Sequence, residues 1–225
     1  MMQHAPLFIV LLPVSAALLC MLFSRMQKNL GSWIVIGSIA AAFMSAVTVL
    51  QQVIADGGKP IHYWMGNWQP PLGIEFVIDP ISGVLAVLIT FISLLGSIYS
   101  LPFVKEEGWL HIGGYYTLYG LMTVGMCGMV ITGDVFNLYV FLEVMSLSGY
   151  GLIALGGKKS MLAAFRYLLI GTIGASLYLL GVGYMYALTG TLNMADMAVR
   201  AAEFLHYPLF ALAVACFVIG FGIKM

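Results

Sequence analysis

The stretch VFNLYVFLEVMSLSGYGLIAL, residues 135–155, predicts a transmembrane helix, because about 20 apolar residues in a helix cross the hydrocarbon layer of a membrane. Glu143 is its only charged residue and lies near its middle. A carboxylate at that depth costs about 3 kcal/mol or more, so such residues mark proton or ion paths by default. The alternative is a protonated, structural Glu143 that is hydrogen-bonded on a helix–helix face.

The composition of the whole chain also indicates a membrane protein. Hydrophobic residues make up 62% of the 225 residues and charged residues 8%, against about 25% charged residues in soluble domains. The formal net charge is zero, which gives no electrostatic attraction to nucleic acid. We therefore expect an all-α, polytopic helical membrane protein with one transmembrane domain over residues 1–225. Hydropathy predicts seven transmembrane helices in the lipid bilayer: Pro6–Phe23, Leu30–Ile54, Pro80–Phe103, Ile112–Ile131, Val135–Leu155, Leu162–Leu188 and Phe204–Ile223.

The longest polar segment, residues 55–79, predicts a small hairpin on the outer side. Gly66-Asn67 and Pro70-Pro71 are turn signals, and GIEFVID, residues 73–79, alternates in the manner of a strand.

Shorter signals predict helix ends and close packing. Asp79 before Pro80 indicates an N-cap for the third span, and Asp134 indicates a plain cap for the fifth. Gly171 and Ala175 form a small-xxx-small pattern, which predicts that the sixth span packs closely against protein. Residues 190–204 are too polar to span and predict a short amphipathic helix along the outer surface.

A polar stripe surrounds Glu143. Its members are spaced by four, three and four residues, so they share one helix face that we expect to point into the bundle: Tyr139, Glu143, Ser146 and Tyr150. The stripe fits an ion path and equally fits a structural glutamate whose neighbours satisfy it.

Lys224 is a second charge of the intramembrane type. It ends the apolar run LFALAVACFVIGFGIK, and Gly220 and Gly222 before it are signals of a broken helix near a charge. The alternative is a lysine that extends to the membrane interface.

The sequence predicts no cofactor and no metal site. The four histidines lie at span ends or in loops, which disfavours a haem between helices. The chain has no C-x-x-C, P-loop or strand-borne G-x-G-x-x-G motif. Cys20, Cys127 and Cys216 lie in apolar runs and are expected to be buried small hydrophobic residues. A path of protonatable side chains is the mechanism that remains.

The chain resembles the proton-conducting antiporter-like membrane subunits. These include the D-type subunits of Mrp-type cation/proton antiporters, which form the branch that looks nearest, and the antiporter-like subunits of respiratory complex I and membrane-bound hydrogenases. The resemblance covers essentially the whole chain and rests on four segments: residues 132–156, 66–82, 163–198 and 217–225.

The resemblance implies roles for two residues. Glu143 matches the glutamate of the family's fifth helix, and Lys224 matches the lysine of its broken seventh helix. In the family these residues form a buried Glu–Lys pair whose separation sets the proton affinity of the lysine. This implies translocation of protons, or of sodium against protons, by a subunit that is not itself an enzyme. It also implies a bacterial inner membrane and other membrane subunits as partners.

The family pattern extends further than this sequence. Members have about fourteen helices in two inverted repeats, so the chain matches the first half. This leads us to expect either a truncated product or a separate chain that supplies the remaining helices. Two alternatives stay open: a non-conducting structural subunit, and a subunit of a redox complex of the NADH:quinone oxidoreductase or hydrogenase type, whose chemistry is on other chains.

The distribution of positive charges predicts the orientation, because inner loops carry the excess of lysine and arginine. With the N-terminus outside, the inner side carries six cations and the outer side two, Lys59 and Arg200. The six are Arg25, Lys28, Lys105, Lys158, Lys159 and Arg166. Single cysteines in a cysteine-free variant should react with an impermeant reagent from outside at residues 55–79 and not at residues 158–159. Outside labelling at residues 158–159 would contradict this orientation.

Overall fold

The computed structural model describes residues 4–27, 29–104 and 109–224, and Lys28 and Lys105 of the orientation prediction lie outside these ranges. The helices are α1 (Ala5–Met26), α2 (Leu30–Ala55), α3 (Pro80–Tyr99), α4 (Leu101–Val104), α5 (Trp109–Ile131), α6 (Val135–Ala154), α7 (Lys158–Thr189), α8 (Met194–Ala201) and α9 (Pro208–Lys224). Two short strands, β1 (Ile61–Trp64) and β2 (Glu75–Ile78), lie between α2 and α3.

The predicted helical membrane fold is confirmed. Within the described ranges, α1, α2, α3, α5, α6 and α7 are long and apolar enough to cross a membrane. The seventh predicted span corresponds to α9, a shorter apolar helix. Its predicted start at Phe204 is wrong: residues 202–204 form a separate short helical turn, and α9 begins at Pro208, where the missing N–H of proline is tolerated.

The predicted hairpin is present. Strands β1 and β2 pair antiparallel with Ile61 opposite Ile78 and Trp64 opposite Glu75. Gly66 and Asn67 have positive φ angles of 65° and 64°, as expected for residues that turn the chain.

Both predicted helix caps are confirmed. The Asp79 carboxylate accepts a hydrogen bond from Ser82 N at 2.7 Å, and the Ser82 hydroxyl accepts one from Asp79 N. Hydrogen bonds that Ser82 donates to the carboxylate hold the pKa of Asp79 below its usual range. Asp134 accepts from Asn137 N at 2.7 Å at the start of α6.

The polar segments before α1, between α2 and α3, before α6 and before α8 contact one another. His4, next to the start of α1, is hydrogen-bonded to Tyr63 of the hairpin. Thr132, before α6, forms a bridge with Phe76 of β2. Asn193, before α8, forms a bridge with Asp134. This arrangement fixes the first turn of α6, the helix that carries Glu143.

Helix α8 occupies the segment predicted to be amphipathic. The Asn193 side chain caps it by accepting from the N–H groups of Ala195 and Asp196 at 3.1 Å. Met197 is buried on the inner side, while Arg200 pairs with Asp196 at 3.0 Å on the exposed side.

The expected break at Gly220 and Gly222 is wrong within the described residues, because α9 runs as one helix through both glycines. Gly220 is instead a point of contact with α7. A Cβ atom there would lie 2.9 Å from the backbone of Gly174 and Tyr178. Gly174 is the reciprocal contact, since its own Cβ would lie 3.0 Å from Gly220 O. These glycines let α9 approach α7 closely, which sets the position of Lys224 one turn further on.

The prediction that the sixth span packs closely against protein is confirmed. Different small residues of α7 contact α6 and α9. Gly171 and Ala175 are both buried on α7. Gly171 makes room for the hydroxyl of Tyr150 from α6, whereas Gly174 and Gly181 face α9.

The two glycines of α9 give a matched pair of variants. Gly220→Ala should lower the free energy of unfolding by about 2 kcal/mol, because the new methyl group overpacks the contact with α7. Gly222→Ala should not, since a Cβ there meets no atom within 4 Å. Thermal unfolding of the purified protein in detergent measures both, and equal stability of the two variants would contradict the close α7–α9 contact.

Candidate functional site

Glu143 and Lys224 contact each other, although 81 positions separate them in the sequence. The Lys224 ammonium donates to Glu143 Oε1 at 2.8 Å. Glu143 comes from the third turn of α6, and Lys224 comes from the end of α9. Both helices pack against α7, so this helix sets the distance between the two side chains.

The pair is less buried than expected. The side chain of Lys224 is 10% exposed and that of Glu143 is 20% exposed in this chain. The buried carboxylates of the described residues are Glu75 and Asp134, which are 6% and 8% exposed. The expectation of a buried Glu–Lys pair is therefore not confirmed, because the two side chains form an ion pair that is only partly buried.

The polar stripe on α6 divides into two kinds of contact. Ser146 joins the ion pair, because its hydroxyl oxygen accepts a hydrogen bond from Lys224 Nζ at 2.9 Å. Tyr139 stacks on Tyr178 of α7, with ring centroids 6.3 Å apart. Tyr150 packs edge-on against Tyr167 of α7 at 4.7 Å. The tyrosines thus hold α6 against α7 above and below the pair.

A cavity of about 420 Å³ adjoins the pair on the side of Lys224. Its polar wall includes Ser146, Lys224 and the two tyrosines Tyr150 and Tyr167. The remaining wall is mainly apolar and includes four methionines: Met122, Met126, Met129 and Met145. Lys224 therefore lies between the Glu143 carboxylate and this cavity.

Glu75 is the buried carboxylate that sequence reasoning missed. Its Oε1 accepts from His62 Nδ1 at 2.6 Å and from Trp64 Nε1 at 3.1 Å. Its Oε2 accepts from Asn193 Nδ2 at 2.8 Å. Glu75 therefore ties the hairpin to the loop before α8, and Gly133 N donates to the Glu75 carbonyl oxygen at 2.9 Å. The alternation of residues 73–79 placed Glu75 on the polar strand face, and no sequence signal indicated the donors that bury it.

Asp134 is the second buried carboxylate at this end. Burial raises its pKa, and the backbone N–H groups of Asn137 and Phe136 oppose that shift. The role predicted for Asp134, a plain helix cap, is the one that its hydrogen bond to Asn137 N fulfils.

Comparison with known proteins places the chain in a family. Residues 132–225 match the family described as NADH:quinone oxidoreductase/Mrp antiporter, TM. The whole chain is 43% identical to the N-type subunit of NADH-quinone oxidoreductase from Desulforudis audaxviator. Over 96% of its length it is 32% identical to the D-type subunit of the Na(+)/H(+) antiporter from Bacillus subtilis. The chain belongs to the antiporter-like membrane subunits.

Solved structures agree with this family assignment. The fold matches a chain of the membrane-bound sulfane sulfur reductase, an archaeal respiratory membrane complex, over 97% of this chain with a TM-score of 0.89 and 30% identity. A chain of the Mrp complex from Dietzia shows the same fold over 99% of this chain and 41% of its own length, with a TM-score of 0.79 and 24% identity.

This antiporter-like sequence spans less than half the length of its relatives. It covers 45% of the quinone oxidoreductase relative, 44% of the antiporter relative and 44% of the matched reductase chain. Because relatives from both antiporters and quinone oxidoreductases match, similarity alone does not assign the chain to one of these assemblies. It identifies the chain as an integral membrane protein of a family whose members occur in multi-subunit complexes.

The contacts of Glu75 predict its contribution to stability. Glu75→Gln replaces one acceptor oxygen with an NH₂ group, which cannot accept a hydrogen bond from the donors around it. The free energy of unfolding should therefore fall by about 2 kcal/mol. Trp64→Phe removes one of the three donors and should cost about 1 kcal/mol. Thermal unfolding in detergent tests this order, and a fully stable Glu75→Gln variant would contradict the structural role of Glu75.

Proposed function

We propose that this subunit translocates protons, alone or in exchange for sodium, through the Glu143–Lys224 pair. The observation that supports the proposal is the 2.8 Å contact between the lysine ammonium and the glutamate carboxylate from two different apolar helices. Opposite charges at this distance attract by a few kcal/mol even at an intermediate effective dielectric constant. Ionisable residues inside membrane helices are functional-site hypotheses by default, and proton relays are among their uses.

The chemistry follows from the two states of the pair. A carboxylate next to the amine favours the ammonium form, and desolvation favours the neutral amine. When Glu143 and Lys224 are in contact, the lysine therefore holds its proton. A movement that separates them leaves a desolvated ammonium without its counterion, and the lysine then releases the proton to the adjoining cavity.

We also propose a location and partners. The family resemblance suggests the bacterial cytoplasmic membrane, and the charge distribution favours an N-terminus on its outer side. The subunit would act in a multi-subunit membrane complex, together with helices that correspond to the second half of its relatives. Any redox chemistry would take place on other chains of such a complex.

Replacing Glu143 tests the proposal. Glu143→Gln keeps the shape and one acceptor oxygen but cannot carry the charge, so proton flux should fall at least about tenfold, to the background level. The measurement is proton flux in vesicles that contain the complete native assembly, with the amount of assembled protein determined in parallel. Glu203→Gln is the matched control, because Glu203 is an exposed carboxylate outside the long helices.

The outcomes separate the alternatives. Loss of flux with normal assembly in Glu143→Gln, and normal flux in Glu203→Gln, supports translocation through the pair. Near-normal flux in Glu143→Gln would contradict it and would leave the subunit with a structural role in its complex.

A further inference from the structure

We propose that Ser146 is a positioning residue for Lys224 that holds the amine at the cavity in both of its protonation states. This inference rests on the proposed function, since it concerns the same lysine. It gives one member of the polar stripe a specific role in proton release, where the sequence left an ion path and a structural glutamate equally open.

The first support is the geometry of the lysine. Lys224 Nζ donates to Glu143 Oε1 at 2.8 Å and to Ser146 Oγ at 2.9 Å. Ser146 is buried and lies one turn from Glu143 on α6. The ammonium group therefore has two partners of different kinds, one charged and one neutral. Because the two acceptors are separate groups, a rotation of the Lys224 side chain can break the charged contact and keep the neutral one.

The second support is the chemistry of a hydroxyl group. A carboxylate only accepts hydrogen bonds, whereas a serine hydroxyl both donates and accepts. Ser146 accepts from the ammonium form of Lys224, and after deprotonation its O–H can donate to the nitrogen lone pair. The neutral amine then keeps a hydrogen bond in an apolar setting, where an unpaired polar group is costly.

The third support is the cavity, because both Ser146 and Lys224 line it. A proton can pass from Lys224 Nζ to a water molecule in the cavity while the Ser146 hydroxyl rotates from acceptor to donor. The step breaks one N–H bond, forms one O–H bond on the water, and leaves Ser146 chemically unchanged. The titratable groups that face Lys224 here are Glu143 and Tyr150 from α6 and Tyr167 from α7, while α5 contributes methionines.

Ser148 provides a matched control on the same helix. It is also buried, but its hydroxyl donates to Val144 O of its own helix at 2.6 Å. Removing that hydroxyl takes away a buried polar group of the same type without touching Lys224.

The experiment measures proton flux against pH in vesicles with the complete native assembly. Ser146→Ala should lower flux about tenfold and move the alkaline limb of the profile to lower pH by roughly one unit, because the ammonium form loses more from a missing acceptor than the neutral amine does. Ser146→Thr keeps the hydroxyl and should preserve both the rate and the profile. Ser148→Ala should leave the profile unchanged.

The outcomes distinguish this inference from the function on which it rests. If Glu143→Gln abolishes flux while Ser146→Ala leaves the profile in place, the role of Ser146 is wrong and the proposed function stands. The role is also wrong if Ser146→Ala and Ser146→Thr lose flux equally, because that result indicates a steric effect. If Glu143→Gln conducts normally, the proposed function itself fails.

Discussion

The ion pair between the Lys224 ammonium and the Glu143 carboxylate is the contact on which the arrangement of α6, α7 and α9 depends. Neither charge is tolerated alone at the depth of an apolar helix, so each needs a partner within hydrogen-bonding distance. The partners come from α6 and α9, which lie on α7. For Lys224 to reach Glu143, α9 has to lie very close to α7. The contact between Gly174 and Gly220 allows that close approach.

The buried carboxylate Glu75 and the partly buried carboxylate Glu143 differ in their hydrogen-bond partners. Glu75 accepts hydrogen bonds from three fixed side-chain donors at the loop end of the bundle, and such a saturated carboxylate stabilises the docking of a hairpin. Glu143 has a single long, flexible partner, Lys224, and the lysine borders a cavity. An arrangement with several fixed donors, as at Glu75, favours stability. Proton transfer requires an arrangement like that at Glu143, because the contact between the carboxylate and the lysine must be able to break.

Much of the fold could be predicted from the sequence because membrane helices follow from length and hydropathy alone. The caps at Asp79 and Asp134 could also be predicted, because they are local. Each aspartate oxygen accepts a hydrogen bond from the N–H group three residues further along the chain. The path of α9 could not be predicted in this way. Gly220 and Gly222 suggested a break, but the close approach of α7 to Gly220 is a tertiary contact that glycine spacing does not reveal.

The site shows the same division between local and distant information. The depth of Glu143 identified it as a candidate, and the family resemblance identified Lys224 as its partner. The roles of Ser146 and Glu75 required coordinates, because their partners Lys224 and Asn193 are 78 and 118 positions away in the chain. The stripe on α6 placed Ser146 correctly beside Glu143, yet the group that it contacts is the lysine.

If Glu143 governs the charge of Lys224, the protonation state of the lysine amine must depend on the glutamate. In the reconstituted native assembly with ¹⁵N-labelled lysine, the Nζ signal of Lys224 can be assigned by its loss in Lys224→Met and followed as a function of pH. Glu143→Gln should increase the neutral fraction of Lys224 at a fixed pH, because the ammonium loses its counterion. An unchanged neutral fraction in Glu143→Gln would show that the glutamate does not control the charge of the lysine.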